Sequence, residues 1–353
     1  MSVQDHPRPL DLALQGGGSH GAFTWGVLDR LLEEPSIVLQ GVSGTSAGAL
    51  NAAVMATGYA RGGREGAREA LTDFWHAVAA AGGCFGAAAT FAAPVQGLAG
   101  FNLDGNPMFR WASQIARSFS PYQFNPLGLN PLRDVTQRHV DEAALRSGPL
   151  RVFVTATAVH TGQPRIFTGN ELSVDALMAS ACLPQIFRAV EIDGEPYWDG
   201  GYTGNPALWP LIYNTAAHDI MLVRINPLVR PHTPETADEI VDRVNEITFN
   251  AGLVGELRAI AFVQRLLAEG RVDTRRYRSL RLHMVADDTG LEPLHPSSKL
   301  NSERRFVDAL HDLGRQAAGR WLAAHGGDIG RRSTLDIEGD FLAPRASPGR
   351  AAA

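Results

Sequence analysis

The 353-residue chain has only two cysteines, Cys84 and Cys182, and a single lysine, Lys299, among its 32 basic residues. Two cysteines are too few for a disulfide framework or a cysteine-built zinc site, so free thiols in a reducing compartment are expected. The formal net charge is −5, which gives no basic field that would draw the chain to nucleic acid. The scarcity of lysine reads as a compositional bias toward arginine rather than as a mechanism. No apolar run approaches the roughly 20 residues that a membrane-spanning helix needs. The opening MSVQDHPRPLDLALQGGG lacks the basic and apolar regions of a secretory leader. The expected location is therefore cytoplasmic, with any membrane contact peripheral and transient, at the inner surface.

With 44% hydrophobic and 20% charged residues, the chain has ample material for a large core. LDLALQ (10–15) reads as a buried strand and AFTWGVLDRLLEE (22–34) as a helix halted by Pro35. IVLQGVS (37–43) reads as a second strand, and 47–58 and 61–80 as helices. Strand, helix, strand within about 30 residues is a βαβ unit, which requires parallel strands and a right-handed crossover. Further strands are expected at 150–162, 219–227 and 280–286, and a hairpin at 188–201 turning on Asp193-Gly194. Helices are expected at 173–184, capped by Ser173, and at 235–269 and 302–325. The expected fold class is α/β: three layers, α/β/α, around a largely parallel sheet. One domain is expected over 8–325, with a helical C-terminal part from 226 and an irregular tail over 326–353. The stretch 81–132, almost devoid of charge at its start, suits either a packed helix or a cap over an apolar pocket.

Gly44-Thr45-Ser46-Ala47-Gly48 fits the G-x-S-x-G nucleophile elbow, in which a strand turns tightly into a helix and holds the central serine exposed. Small residues two before and two after are needed because backbone meets backbone at the turn. The helix that follows aims its first amides at the serine, where negative charge would develop. The glycine loop at 16–21 also matches G-x-G-x-x-G, the fingerprint of a dinucleotide site. However, the second strand ends in a Gly/Ser elbow where a ribose-binding acid would be expected. In a βαβ unit both loops emerge at the carboxyl ends of neighbouring strands. That would set the amides of Gly16, Gly17 and Gly18 beside Ser46, where an oxyanion would form.

A nucleophilic serine needs a proton acceptor. His218, His232, His283, His295 and His311 are available downstream, so a Ser-His-Asp triad stays open by counting alone. Only about one strand precedes the elbow, however, and no histidine stands at a glycine-flanked strand end. Asp199 in YWDGGYTGNPAL is the better acceptor: it ends an apolar hairpin, and Gly200 and Gly201 allow close backbone approach before a helix expected to start at NPAL. Burial near Trp198 would raise its pKa into a useful range.

Together the glycine loop GGGSHG (16–21), the elbow GTSAG (44–48), the block ASACLPQIF (179–187) and DGG (199–201) resemble the patatin-like phospholipase family over roughly residues 10–225. The resemblance implies an acyl hydrolase with a Ser–Asp dyad, no catalytic histidine and no cofactor or metal. Ser46 would be the nucleophile, Asp199 the base, and the amides of Gly16, Gly17 and Gly18 the oxyanion hole. His20, Gly44, Gly48, Gly200 and Gly201 would support them. One departure stands out: the family loop usually carries arginine or lysine where this chain has His20. That histidine either assists as a pH-dependent cation or packs under the loop. The implied substrate is a phospholipid or related lipid. Two rival readings are a Ser-His-Asp esterase or thioesterase on a soluble substrate, and a non-catalytic anion- or lipid-binding module. The arginine cluster RVDTRRYRSLR (271–281) reads either as a contact for anionic headgroups or as a solvated surface.

Overall fold

The computed structural model describes residues 7–82, 97–230 and 232–343. Cys84, the first part of the charge-poor stretch and the end of the expected tail lie outside the described residues.

Eight strands form one sheet. They are β1 (Arg8–Leu14), β2 (Ile37–Thr45), β3 (Arg151–Ala158), β4 (Pro164–Thr168), β5 (Val190–Ile192), β6 (Glu195–Asp199), β7 (Asp219–Val223) and β8 (Arg281–Val285). The five strands β8, β7, β1, β2 and β3 lie side by side and parallel. Residues 10–14 of β1 are buried on both faces, as a central parallel strand must be when helices cover both sides. On one face, Leu10, Leu12 and Leu14 pack against helix α1 (Gly21–Leu32), helix α2 (Ala47–Ala81) and the helix Arg304–His325. On the other, Ala13, Ile220 and Leu222 meet Leu211 of the helix Trp209–Asn214 and Leu253 and Leu257 of the helix Ala237–Ala268. The architecture is therefore the expected three-layer α/β/α.

Register at the end of β3 positions the site. β2 pairs with β3 from Gly41↔Arg151 to Thr45↔Thr155. β4 runs antiparallel against residues 153–157 of β3, so it must occupy the opposite edge. β6 pairs antiparallel with residues 156–158, two of which β4 already pairs, so β6 shares the edge that β2 uses. The two strands thus approach each other head-on along one edge of β3, ending at Thr45 opposite Thr155 and at Asp199 opposite Ala156.

Several expectations need correction. α2 is, as expected, two helical segments; they are joined across a kink at Gly62 and Gly63, where the conformation leaves the helical region, so the break falls a few residues later than the expected one between 58 and 61. β4 was not foreseen. NPAL does not start a helix: Asn205-Pro206 is cis and the helix begins at Trp209. In the charge-poor stretch, residues 98–124 form a 3-10 turn, the helix Pro107–Ser118 and a short helical turn, exposing Met108, Trp111, Phe119, Tyr122 and Phe124. The described part of the tail is anchored, since Ile329, Leu335 and Ile337 are buried and the amides of Thr334 and Leu335 donate to the Leu282 carbonyl.

Candidate active site

Ser46 sits between β2 and α2 at φ 54° and ψ −122°, one of two non-glycine residues with positive φ among those described. Such a conformation costs on the order of 1–3 kcal/mol and persists only when surroundings over-determine it. The restraints are specific. The Ser46 amide donates to Ser180 Oγ at 2.8 Å. Thr45 Oγ1 donates to the Gly204 carbonyl and Ser43 Oγ to the Ala207 carbonyl, both at 2.6 Å. Gly44 and Gly48 satisfy the expected close approach, because a Cβ on Gly44 would lie 2.5 Å from the Gly48 carbonyl oxygen and one on Gly48 2.2 Å from that of Leu14.

The glycine loop lies against this elbow. A Cβ on Gly16 would lie 2.6 Å from Ser46 Cβ and equally close to the Thr45 carbonyl oxygen. The Gly16 amide itself donates to Asn205 Oδ1 at 2.6 Å and is engaged in this structure. The Gly16 carbonyl is held by Asn226 Nδ2 at 2.7 Å. The amides of Gly17 and Gly18 make no hydrogen bond to a described residue, and Gly18 adopts φ 57°, a left-handed conformation suited to glycine. Gln15 joins the ends of β1 and β7, its Oε1 accepting from the amides of Ile225 and Asn226 at 3.0 Å.

Asp199 is 1% exposed and ends β6. Its Oδ1 accepts from the Gly201 amide at 2.7 Å. Burial pushes its pKa up to about 7, against the opposing influence of the Gly201 amide, a hydrogen bond from the Ser46 hydroxyl and the charge of Lys299. Oδ2 is buried and has no hydrogen bond of regular geometry among the described residues. The Ser46 contact is therefore looser than the one from Gly201. The doubled glycine has two reasons: a Cβ on Gly200 would lie 2.1 Å from the Thr155 carbonyl oxygen, and one on Gly201 2.8 Å from the Phe249 ring. Trp198 is not what buries Asp199, since alternation along β6 puts the two on opposite faces. Cys182 and Tyr202 flank the carboxylate instead; burial pushes the Cys182 thiol up to about 12 and also raises the Tyr202 phenol.

His20 is 4% exposed, with Nε2 sharing a hydrogen bond with Ser298 Oγ at 2.7 Å and its ring edge-on to Phe306. Burial lowers its pKa well below the usual value, so it packs under the loop as a neutral ring. The other candidate histidines are engaged elsewhere: His283 with Asp219, His295 with Asp104, His311 with Asp29 and His218 with the Ser279 carbonyl. His232 is exposed. No cluster of three or more His, Cys, Asp or Glu among the described residues has the arrangement to hold a metal ion. In the arginine cluster, Arg271 pairs with Glu269, Arg275 with Asp273, and Arg281 with the buried Asp219.

Sequence reasoning missed Ser180, Asn205, Asn226 and Lys299. Ser180 lay inside a quoted motif without a role; the other three contact the glycine loop from segments distant in the chain.

A family model described as patatin-like phospholipase matches residues 12–212. Among solved structures, VipD from Legionella pneumophila is similar over 96% of this chain and 73% of its own, at a TM-score of 0.39 and 12% identity. The type III effector protein ExoU is similar over 90% of this chain and 54% of its own, at a TM-score of 0.31 and 17% identity. No curated protein matches the sequence significantly.

Proposed function

Since the chain belongs to the patatin-like phospholipase family, we propose that it is a serine acyl hydrolase that cleaves carboxylic ester bonds of phospholipids or related lipids through Ser46 and Asp199. Ser46 Oγ attacks the acyl carbonyl while Asp199 accepts the hydroxyl proton. The developing oxyanion is received by the amides of Gly17 and Gly18, fixed in place before the reaction and so needing little reorganisation. Asp199 returns the proton to the departing alcohol, leaving the acyl group on Ser46. A water molecule then attacks the acyl-enzyme as Asp199 takes its proton, and Asp199 passes that proton to the departing Ser46 Oγ, which restores the hydroxyl and releases the fatty acid.

The observation that carries this reading is the head-on meeting of β2 and β6 on one edge of β3, which sets the strained serine beside a carboxyl whose pKa lies near 7. A carboxyl of ordinary pKa is a weak base; one near neutrality accepts a proton far more readily while still ionising at working pH. A histidine-dependent triad is not favoured, because none of the described histidines hydrogen-bonds to Ser46 or Asp199. The catalytic unit proposed is one domain over residues 8–325. Its exposed apolar side chains at Met108, Trp111 and Phe119 would meet lipid transiently. No described helix is long and apolar enough to cross a membrane.

The test is labelling with a fluorophosphonate probe, alongside a lipid panel, for wild type and Ser46→Ala. Labelling and fatty-acid release in wild type, both lost in Ser46→Ala, are expected. A wild type that takes no label would favour a non-catalytic binding module.

A further inference from the structure

The position where the family loop carries a cation holds a buried, neutral histidine, yet the loop is not without a positive charge. Residues Pro296–Leu300 form a 3-10 turn laid against it. Ser298 meets His20, and a Cβ on Gly18 would lie 2.3 Å from the Lys299 carbonyl oxygen and 3.2 Å from its Cβ. Lys299 Nζ donates to Asn226 Oδ1 at 2.9 Å, and Asn226 Nδ2 donates to the Gly16 carbonyl at 2.7 Å. An ammonium, an amide bridge and the first carbonyl of the loop thus form one hydrogen-bonded chain.

We propose that Lys299, from beyond the family-matched segment, is a positioning residue whose ammonium holds the glycine loop through Asn226 and supplies the cation the loop itself lacks. This rests on the Ser46–Asp199 reading above. The chain's one lysine, compositionally an oddity, thereby has a place.

The surrounding charges are consistent with this role. Lys299 is the cation whose charge favours ionisation of Asp199. The other titratable neighbours of Asp199, Cys182 and Tyr202, both have their pKa raised and stay protonated at neutral pH. Around Lys299, burial and Arg230 disfavour the ammonium, while Glu246, Asp242 and Asp199 favour it. Glu246 is itself held by Arg230 and Arg243. The Lys299 charge also disfavours protonation of His20, so cationic Lys299 and neutral His20 reinforce each other. Arg230 acts on His20 in the same sense, and burial, the largest influence on Lys299, lowers its own pKa, so the lysine holds its charge with the help of Glu246, Asp242 and Asp199.

The experiment compares wild type, Lys299→Met and Lys299→Gln by the pH dependence of Ser46 fluorophosphonate labelling and of kcat/KM on a neutral p-nitrophenyl ester, with thermal melts as the check on folding. Both variants lose the charge; only glutamine keeps a donor for Asn226 Oδ1. Loss of a nearby positive charge destabilises the Asp199 carboxylate. The acidic limb is therefore expected to move up by about half to one pH unit in both variants. On that limb, labelling then falls about three- to ten-fold relative to wild type. The alkaline plateau is expected to be better preserved in the glutamine variant. A merely structural lysine would lower labelling at all pH values without moving the limb. Should the methionine variant fail to fold, the glutamine variant carries the same comparison. An unmoved limb in folded variants, with wild type labelled normally, overturns the role of Lys299 alone. A wild type that takes no label overturns the Ser46 reading and this one with it.

Discussion

The backbone amide of Ser46 donates to the hydroxyl of Ser180, 134 residues later, at 2.8 Å. Ser180 is the last residue of the helix Val174–Ser180, whose Ser173 cap accepts from the Ala176 amide. The block ASACLPQIF thereby acquires a physical role: it ties down the strained turn that presents Ser46. Ser180→Ala leaves a buried amide without a partner, which costs about 1–3 kcal/mol. Urea unfolding should register that loss. Misplacing the hydroxyl should also lower the Ser46 labelling rate about ten- to a hundred-fold. An unchanged labelling rate would show that the elbow holds itself.

Ser46→Ala and Asp199→Asn are each expected to lower ester hydrolysis by about a thousand-fold or more while leaving the far-UV circular dichroism intact. Since the base must be ionised to accept a proton, and Asp199 titrates at about 7, kcat/KM should rise with pH through neutrality and level off above it. A profile with its limb near 4 would mean that burial does not raise the carboxyl of the base, and loss of that limb in Asp199→Asn would still assign it to Asp199.

Glycine substitutions should divide sharply by surroundings. A Cβ at Gly200 or Gly48 would lie 2.1 or 2.2 Å from a backbone oxygen that has no freedom to move aside. Gly200→Ala and Gly48→Ala are expected to destabilise by at least ~3 kcal/mol or to prevent folding. Gly255 and Gly319 lie within helices and face open space. Gly255→Ala and Gly319→Ala should each stabilise by about 0.5–1 kcal/mol. Chemical denaturation of the four variants tests both halves.

Stability should fall as pH rises through neutrality. Burial raises Asp11, Asp199 and Glu256 each to about 7. His20, His76 and His139, all lowered by burial, oppose this fall below about pH 6.5, so the net fall is expected above that value. For the three carboxyls the folded state binds more protons than the unfolded chain between about pH 4 and 7, and their contribution to the slope of stability with pH is negative. That stabilisation is complete below the unfolded pKa and is lost through the folded one. Glu256 accepts the amides of Leu208 and Trp209 at 2.8 and 2.9 Å through one oxygen, a geometry that glutamine can keep. Glu256→Gln should therefore melt higher than wild type at pH 8, by about 1–3 kcal/mol, and show little difference at pH 4. Asp219, lowered to about 2, acts in the opposite sense, so stability should also decline as pH falls below 4. Calorimetry at pH 3, 5 and 8 tests the whole profile.

The elements that were legible in the sequence are those whose causes are local. Short apolar runs marked β1, β2, β7 and β8, and β-branching marked β3. Asp193 and Gly194 announced their turn and both adopt positive φ. The glycines at 44, 48, 200 and 201 stand where a side chain would strike backbone or a packed ring. Steric demands of that kind fall on the residue itself, so the residue type betrays them. What only the tertiary structure decided is non-local. β2 and β6 share one edge of β3 because β4, unread in the sequence, takes the other. Asn205 engages the Gly16 amide across 189 residues, and Ser298 reaches His20 across 278. Hydrogen-bond partners and local charge depend on which distant segments the sheet and helices bring together, and no single window of sequence contains that information.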